Sequence, residues 1–136
     1  MRNLLTSLAL LLFACAILPA QNLIGYKANE IRDYMKQNHK DFGNQSMVYN
    51  NTFKYLKFTD RKETQTLLFF LTTDSVCKSV RLVCDKSMKE NKIRELDSVY
   101  KKTSENNWTE IRNGKKYLIE LKDEEWSFSV TIRQSD

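Results

Sequence analysis

The chain has 136 residues, of which 41% are hydrophobic and 29% charged, with a net charge of +5, three Cys and a single His. That length buries enough apolar surface to fold as one domain without metal or disulfides, which excludes a disordered chain, a two-domain enzyme and a disulfide-stapled miniprotein. Lys and Arg alternate with Asp and Glu rather than collecting in a block, so no basic stripe of the nucleic-acid-binding kind is present, and nucleic acid is not an expected partner.

The N-terminal segment reads as a secretory signal peptide. Arg2 supplies a positive start, Leu4 to Leu18 form an uncharged apolar run, and Pro19-Ala20 ends it with a small residue before Gln21. The run is shorter than the roughly 20 apolar residues of a spanning helix. Residues 1–20 are therefore expected to be removed, leaving residues 21–136 as a single domain that works outside the cytoplasm, periplasmic or secreted. The alternative reading of the same stretch is a lipobox, Leu12-Phe13-Ala14-Cys15, which would make Cys15 a lipidation site and the protein a membrane-anchored lipoprotein.

Ile24, Ala28, Ile31 and Met35 recur at helical spacing and predict a first helix from about Tyr26 to Asn38, with Gly43 at its exit. Phe53 to Phe58 has strand composition, and Thr66 to Thr73 is a nearly all-apolar strand, expected to be central with both faces covered. A third strand follows from Val76 to Asp85, with Val80, Leu82 and Cys84 on one face and Cys77, Ser79 and Arg81 on the other. Ser87 and Glu90 have capping-box spacing and predict the start of a second helix, with the stripe Ile93, Leu96 and Tyr100, with Lys101 and Lys102 at its C-terminal end and with Asn106-Asn107 closing it. The remainder predicts a meander: Trp108 to Arg112, an Asn113-Gly114 turn, Lys115 to Lys122, and Trp126 to Arg133 with Trp126, Phe128, Val130 and Ile132 inward.

These elements give an α+β fold, an antiparallel sheet of five to six strands with two helices packed on one face, in the order α-βββ-α-βββ. No internal repeat is visible. The element order resembles that of type III secretion chaperone-like domains, and Ile24-Gly25-Tyr26-Lys27-Ala28-Asn29-Glu30-Ile31 is similar to the first helix of small outer-membrane assembly lipoproteins. No functional residue is carried over from either resemblance. The face opposite the helices would present Cys77, Ser79, Arg81, Ser127, Ser129, Thr131 and Arg133, with apolar residues of the central strand among them, and is the expected binding surface.

The side chains that catalysis needs do not assemble in the sequence. His39 has no nucleophile elbow or triad partner and reads as a solvated or helix-capping residue. One His and two mature-chain Cys without a Cys-x-x-Cys do not make a zinc site, and Asp123-Glu124-Glu125 reads as an acidic turn rather than a calcium loop. Gly25, Gly43 and Gly114 belong to no phosphate-cradling motif. Seven residues apart on one strand, at about 3.3 Å each, Cys77 and Cys84 lie roughly 23 Å from one another and on opposite faces, out of disulfide reach; this predicts a core Cys84 and a surface thiol at Cys77 that could pair with another chain, whereas a turn interrupting the strand would allow an intrachain disulfide. No cofactor and no metal are expected. The expectation is a non-enzymatic binding or interaction domain of a bacterial cell envelope whose partner is a protein, peptide or small ligand. A small secreted hydrolase with unidentified acidic residues is the alternative, as is a structural or homodimeric envelope protein.

Overall fold

The computed structural model describes residues 22–136, so the segment expected to be a signal peptide, with Cys15, lies outside the described residues. The elements are α1 (Ala28–Asn38), β1 (Asn44–Tyr49), β2 (Lys54–Thr59), β3 (Gln65–Leu71), β4 (Cys77–Asp85), a 3-10 turn at Lys86–Met88, α2 (Lys89–Val99), β5 (Lys101–Ser104), β6 (Asn107–Arg112), β7 (Lys115–Asp123) and β8 (Ser127–Gln134). All eight strands form one antiparallel sheet in the order β1-β2-β3-β4-β8-β7-β6-β5.

The expected five to six strands in the order α-βββ-α-βββ are thus corrected to eight in the order α-ββββ-α-ββββ. The two strands that the sequence does not reveal are the two sheet edges. Edge strands pack few side chains, so they need no apolar alternation: β5, Lys-Lys-Thr-Ser, is exposed throughout, and β1 is exposed or half-buried at every position. Lys101 and Lys102, read as the dipole-complementing end of a helix, are strand residues, and α2 stops at Val99.

The element order also contains a repeat. Each half is one eleven-residue helix followed by a four-stranded meander, and the antiparallel β4–β8 pair joins the halves across an approximate two-fold axis. Val80 pairs with Ile132 while Leu82 pairs with Val130, so the centre of the sheet is four buried aliphatic side chains in crossed pairs. Both helices cover the same face. Ile31 and Met35 from α1 and Leu96 from α2 join one core with Phe58, Leu67, Phe69, Leu82, Trp108, Ile119 and Phe128.

Local chemistry fixes the ends of the elements. The backbone N–H of Lys27 donates to Glu30 Oε1 at 3.1 Å at the start of α1. The predicted Ser87 capping box is replaced by Asp85, whose carboxylate accepts from the Ser87 N–H at 3.0 Å and opens the three-residue 3-10 turn that leads into α2 at Lys89. Asn113 and Gly114, with φ of 51° and 75°, make the tight β6–β7 hairpin as the sequence predicts. Trp126 is a further correction: it lies in the β7–β8 turn and is 83% exposed, because β8 begins one residue later, at Ser127.

Candidate functional site

Register places the side chains that point away from the helices. In an antiparallel sheet directly paired residues share a face, so one row across the sheet is Lys57, Leu68, Arg81, Thr131, Glu120 and Asn107. The neighbouring row is Tyr55, Phe70, Ser79, Arg133, Leu118 and Thr109. No described element covers these rows, since both helices pack on the other side. The central strand is therefore covered on one face and not on both as expected: Leu67, Phe69 and Leu71 are buried against the helices, while Leu68 and Phe70 are left half-buried on the open face.

Two depressions share this face and meet at Arg81. One, about 620 Å³, lies over the second half of the sheet and is lined by Arg81, Ser129, Thr131, Arg133, Glu120 and Lys122 among others. The other, about 530 Å³, lies over the first half and is lined by Phe53, Tyr55, Leu68, Phe70, Lys78, Ser79 and Arg81. The aromatic side is a packed cluster: the Phe70 ring centroid lies 5.5 Å from that of Tyr55 and 6.4 Å from that of Phe53. The Arg81 guanidinium lies over Phe70, 5.7 Å from its centroid. That contact holds the charged group at the boundary while leaving its N–H donors free for a ligand.

Of the residues expected on this surface, Arg81, Ser129, Thr131 and Arg133 line the polar depression together, and Ser79 joins Arg81 on the aromatic side. Ser127 has the same strand phase and pairs with Asp85 at the end of β8, away from both depressions. Cys77 does not join them. Between Phe70 and Leu71 the register slips, so that Phe70 faces Ser79 but Leu71 faces Cys77, and Lys78 is the extra residue of a β-bulge. The bulge reverses the alternation and turns Cys77 into the core, where it is 2% exposed and its thiol donates to the Ser79 carbonyl at 3.4 Å.

Cys77 and Cys84 are both free and buried. Burial pushes each thiol up to about 12, which makes both thiols poor nucleophiles. The expected surface thiol at Cys77 is corrected accordingly. Among the described residues no cluster of three or more His, Cys, Asp or Glu is arranged to hold a metal ion. His39 caps the C-terminus of α1, its ring 5.7 Å from that of Tyr34, and burial holds its pKa below the ordinary imidazole value against the opposing pull of Asp41.

Phe53 and Tyr55 are the part of the surface that sequence reading leaves out. Their signal was present as the alternation of Phe53, Tyr55 and Lys57 with Leu56 and Phe58, which assigns aromatics to both faces of β2. Leu118, Glu120 and Lys122 follow in the same way from the inward phase of Tyr117, Ile119 and Leu121. No protein-family model, no curated protein and no solved structure matches the chain.

Proposed function

We propose that this is an exported, non-enzymatic domain of the bacterial cell envelope that binds a macromolecular partner on the open face of its sheet. The observation that carries the reading is the cluster of Phe53, Tyr55, Leu68 and Phe70 on a face that no described element covers, with Arg81 set on Phe70 at the edge of a polar depression. Aromatic side chains beside a guanidinium are the usual anchors of protein interfaces, and a contiguous apolar patch on an otherwise charged small domain marks such a surface. The export half of the proposal rests on the n-region, apolar run and small-residue end of residues 1–20. Lipidation at Cys15 would tether the same surface to a membrane.

A photo-crosslinking amino acid placed in the native host at Ser79 or Thr131, and separately at Lys36 or Arg94 on the helix side, tests both halves. Adducts of defined mass from the sheet positions alone, in the envelope or secreted fraction, are expected. Equal adducts from both sides, or none from Ser79 and Thr131, would rule out the open face as the interface, and recovery of the protein only in the cytoplasm would remove export.

A further inference from the structure

The chemistry on the two sides of Arg81 says what a partner must carry. Resting on the binding reading above, we infer that the open face takes an acidic protein segment in which carboxylates are spaced by an aromatic or large aliphatic side chain. Four outward-facing cations, Lys57, Arg81, Lys122 and Arg133, are exposed and form no ion pair among the described residues. Three lysines elsewhere are paired, Lys89 with Asp123 at 2.7 Å, Lys92 with Glu95 at 3.0 Å and Lys102 with Asp97 at 3.6 Å. The two rows of the open face thus carry three cations, Lys57, Arg81 and Arg133, against one carboxylate, Glu120.

Arg81 couples that charge to apolar contact. Its guanidinium lies over Phe70, so a carboxylate held by its N–H groups brings the neighbouring side chain of the same segment within reach of Phe70, Leu68 and Tyr55. A carboxylate alone would use half of the surface, and an apolar group alone the other half. The polar depression also contains Glu120 and Glu124. Two fixed carboxylates repel a uniform polyanion such as a nucleic acid or an anionic membrane surface, yet tolerate a protein segment whose charges are spaced by neutral residues.

The test is titration of the mature protein with a fluorescent random copolymer of Glu and Tyr, beside poly-glutamate, an oligothymidylate and vesicles of an anionic phospholipid. The copolymer is expected to bind more tightly than poly-glutamate, with binding weakened several-fold at about 0.5 M salt, where charges are screened within a few ångströms. Arg81→Glu with Arg133→Glu should weaken it more than about tenfold, since the charges now oppose the ligand. Lys36→Glu with Lys40→Glu makes the same change in net charge on the helix side and should leave binding unaltered. Phe70→Ser should bring copolymer affinity down to that of poly-glutamate; Leu68→Ser, in the same cluster, should do likewise and serves if the Phe70 variant melts early.

Equal weakening by the two charge-reversal pairs, tighter binding of oligothymidylate or vesicles than of the copolymer, or no copolymer binding would each overturn the inference. Adducts from Ser79 and Thr131 that persist alongside such a result would mean that the surface is right and the occupant wrong. Loss of the adducts as well would remove the surface.

Discussion

The two halves of this protein, α1 to β4 and α2 to β8, are built to the same plan from residues that do not resemble one another. Each helix has eleven residues and ends with a backbone bond from its C-cap, His39 N–H to the Met35 carbonyl and Tyr100 N–H to the Leu96 carbonyl, both at 2.9 Å. At matching positions on the helices, Ile31 and Met35 are buried in the first half, and Lys92 and Leu96 in the second. The buried Lys92 amine is held by Glu95, so one half uses an ion pair where the other uses an aliphatic side chain. On the open face the contrast is larger: aromatics in the first half, hydroxyls and charges in the second. The lesson is that the plan constrains which positions are buried, while the uncovered face carries two different chemistries that meet at Arg81.

The sharpest way to break the comparison is to remove one large core side chain from each half. Phe58 packs edge-on against Phe69 at 5.7 Å, and Trp108 is buried with its indole N–H donating to Asp97 at 2.9 Å across to α2. Truncation of either to alanine is expected to cost about 3–5 kcal/mol. Seven directly paired positions join β4 to β8, with buried aliphatics at the centre, so both variants should move a single denaturation transition. A Trp108→Ala chain that unfolds in two steps by circular dichroism would mean that the halves are separable units.

The corresponding hairpins sharpen it next. In the first half the β2–β3 turn is organised by Asp60, whose carboxylate accepts from the Thr64 N–H at 2.8 Å, the Thr64 hydroxyl at 2.7 Å and the Gln65 N–H at 3.0 Å. In the second half the β6–β7 turn relies on backbone conformation, with Gly114 at φ +75° and open space where a Cβ would point. Asp60→Ala is expected to cost about 2–3 kcal/mol, because three donors lose a charged acceptor. Gly114→Ala should cost about 1 kcal/mol, the conformational penalty alone. Urea denaturation of the two variants checks the order, and equal losses would mean that Asp60 contributes no more than turn geometry.

How much of this was legible in the sequence follows the same division. Both helices and six strands carry apolar periodicity because each has a core-facing side, and Asn113-Gly114 announces its turn directly. The edge strands β1 and β5 bury almost nothing and so leave no pattern, and without them the two-fold plan is invisible. On the candidate surface, Arg81, Thr131 and Arg133 follow from strand alternation. Cys77 does not, because a single-residue bulge at Lys78 reverses the phase and has no sequence signature beyond one lysine in an apolar position. The aromatic half was readable as strand residues but not as surface, since sequence shows alternation and not which face the helices cover.

The smallest effect separates the two helix C-caps. Burial lowers the pKa of His39 from the ordinary 6.5, with Asp41 pulling the other way, whereas Tyr100 in the matching position is pushed upward by burial, with Glu110 adding to the shift and Arg112 opposing it. A base whose folded pKa is lowered takes up its proton more readily in the unfolded chain. Stability from this group is therefore fully present above the unfolded pKa and falls as pH drops through 6.5 toward the folded value. The Asp60 carboxylate is held below its usual 3.8 by hydrogen bonds that outweigh its burial, so its loss of stability belongs to a lower pH range. Between about pH 7 and about pH 5 the melting temperature should fall more in the parent chain than in His39→Gln, which cannot charge, and Tyr100→Phe should leave that slope unchanged. Parallel slopes for parent and His39→Gln would show that the first cap titrates as a solvated histidine and that, in this respect, the two halves end alike.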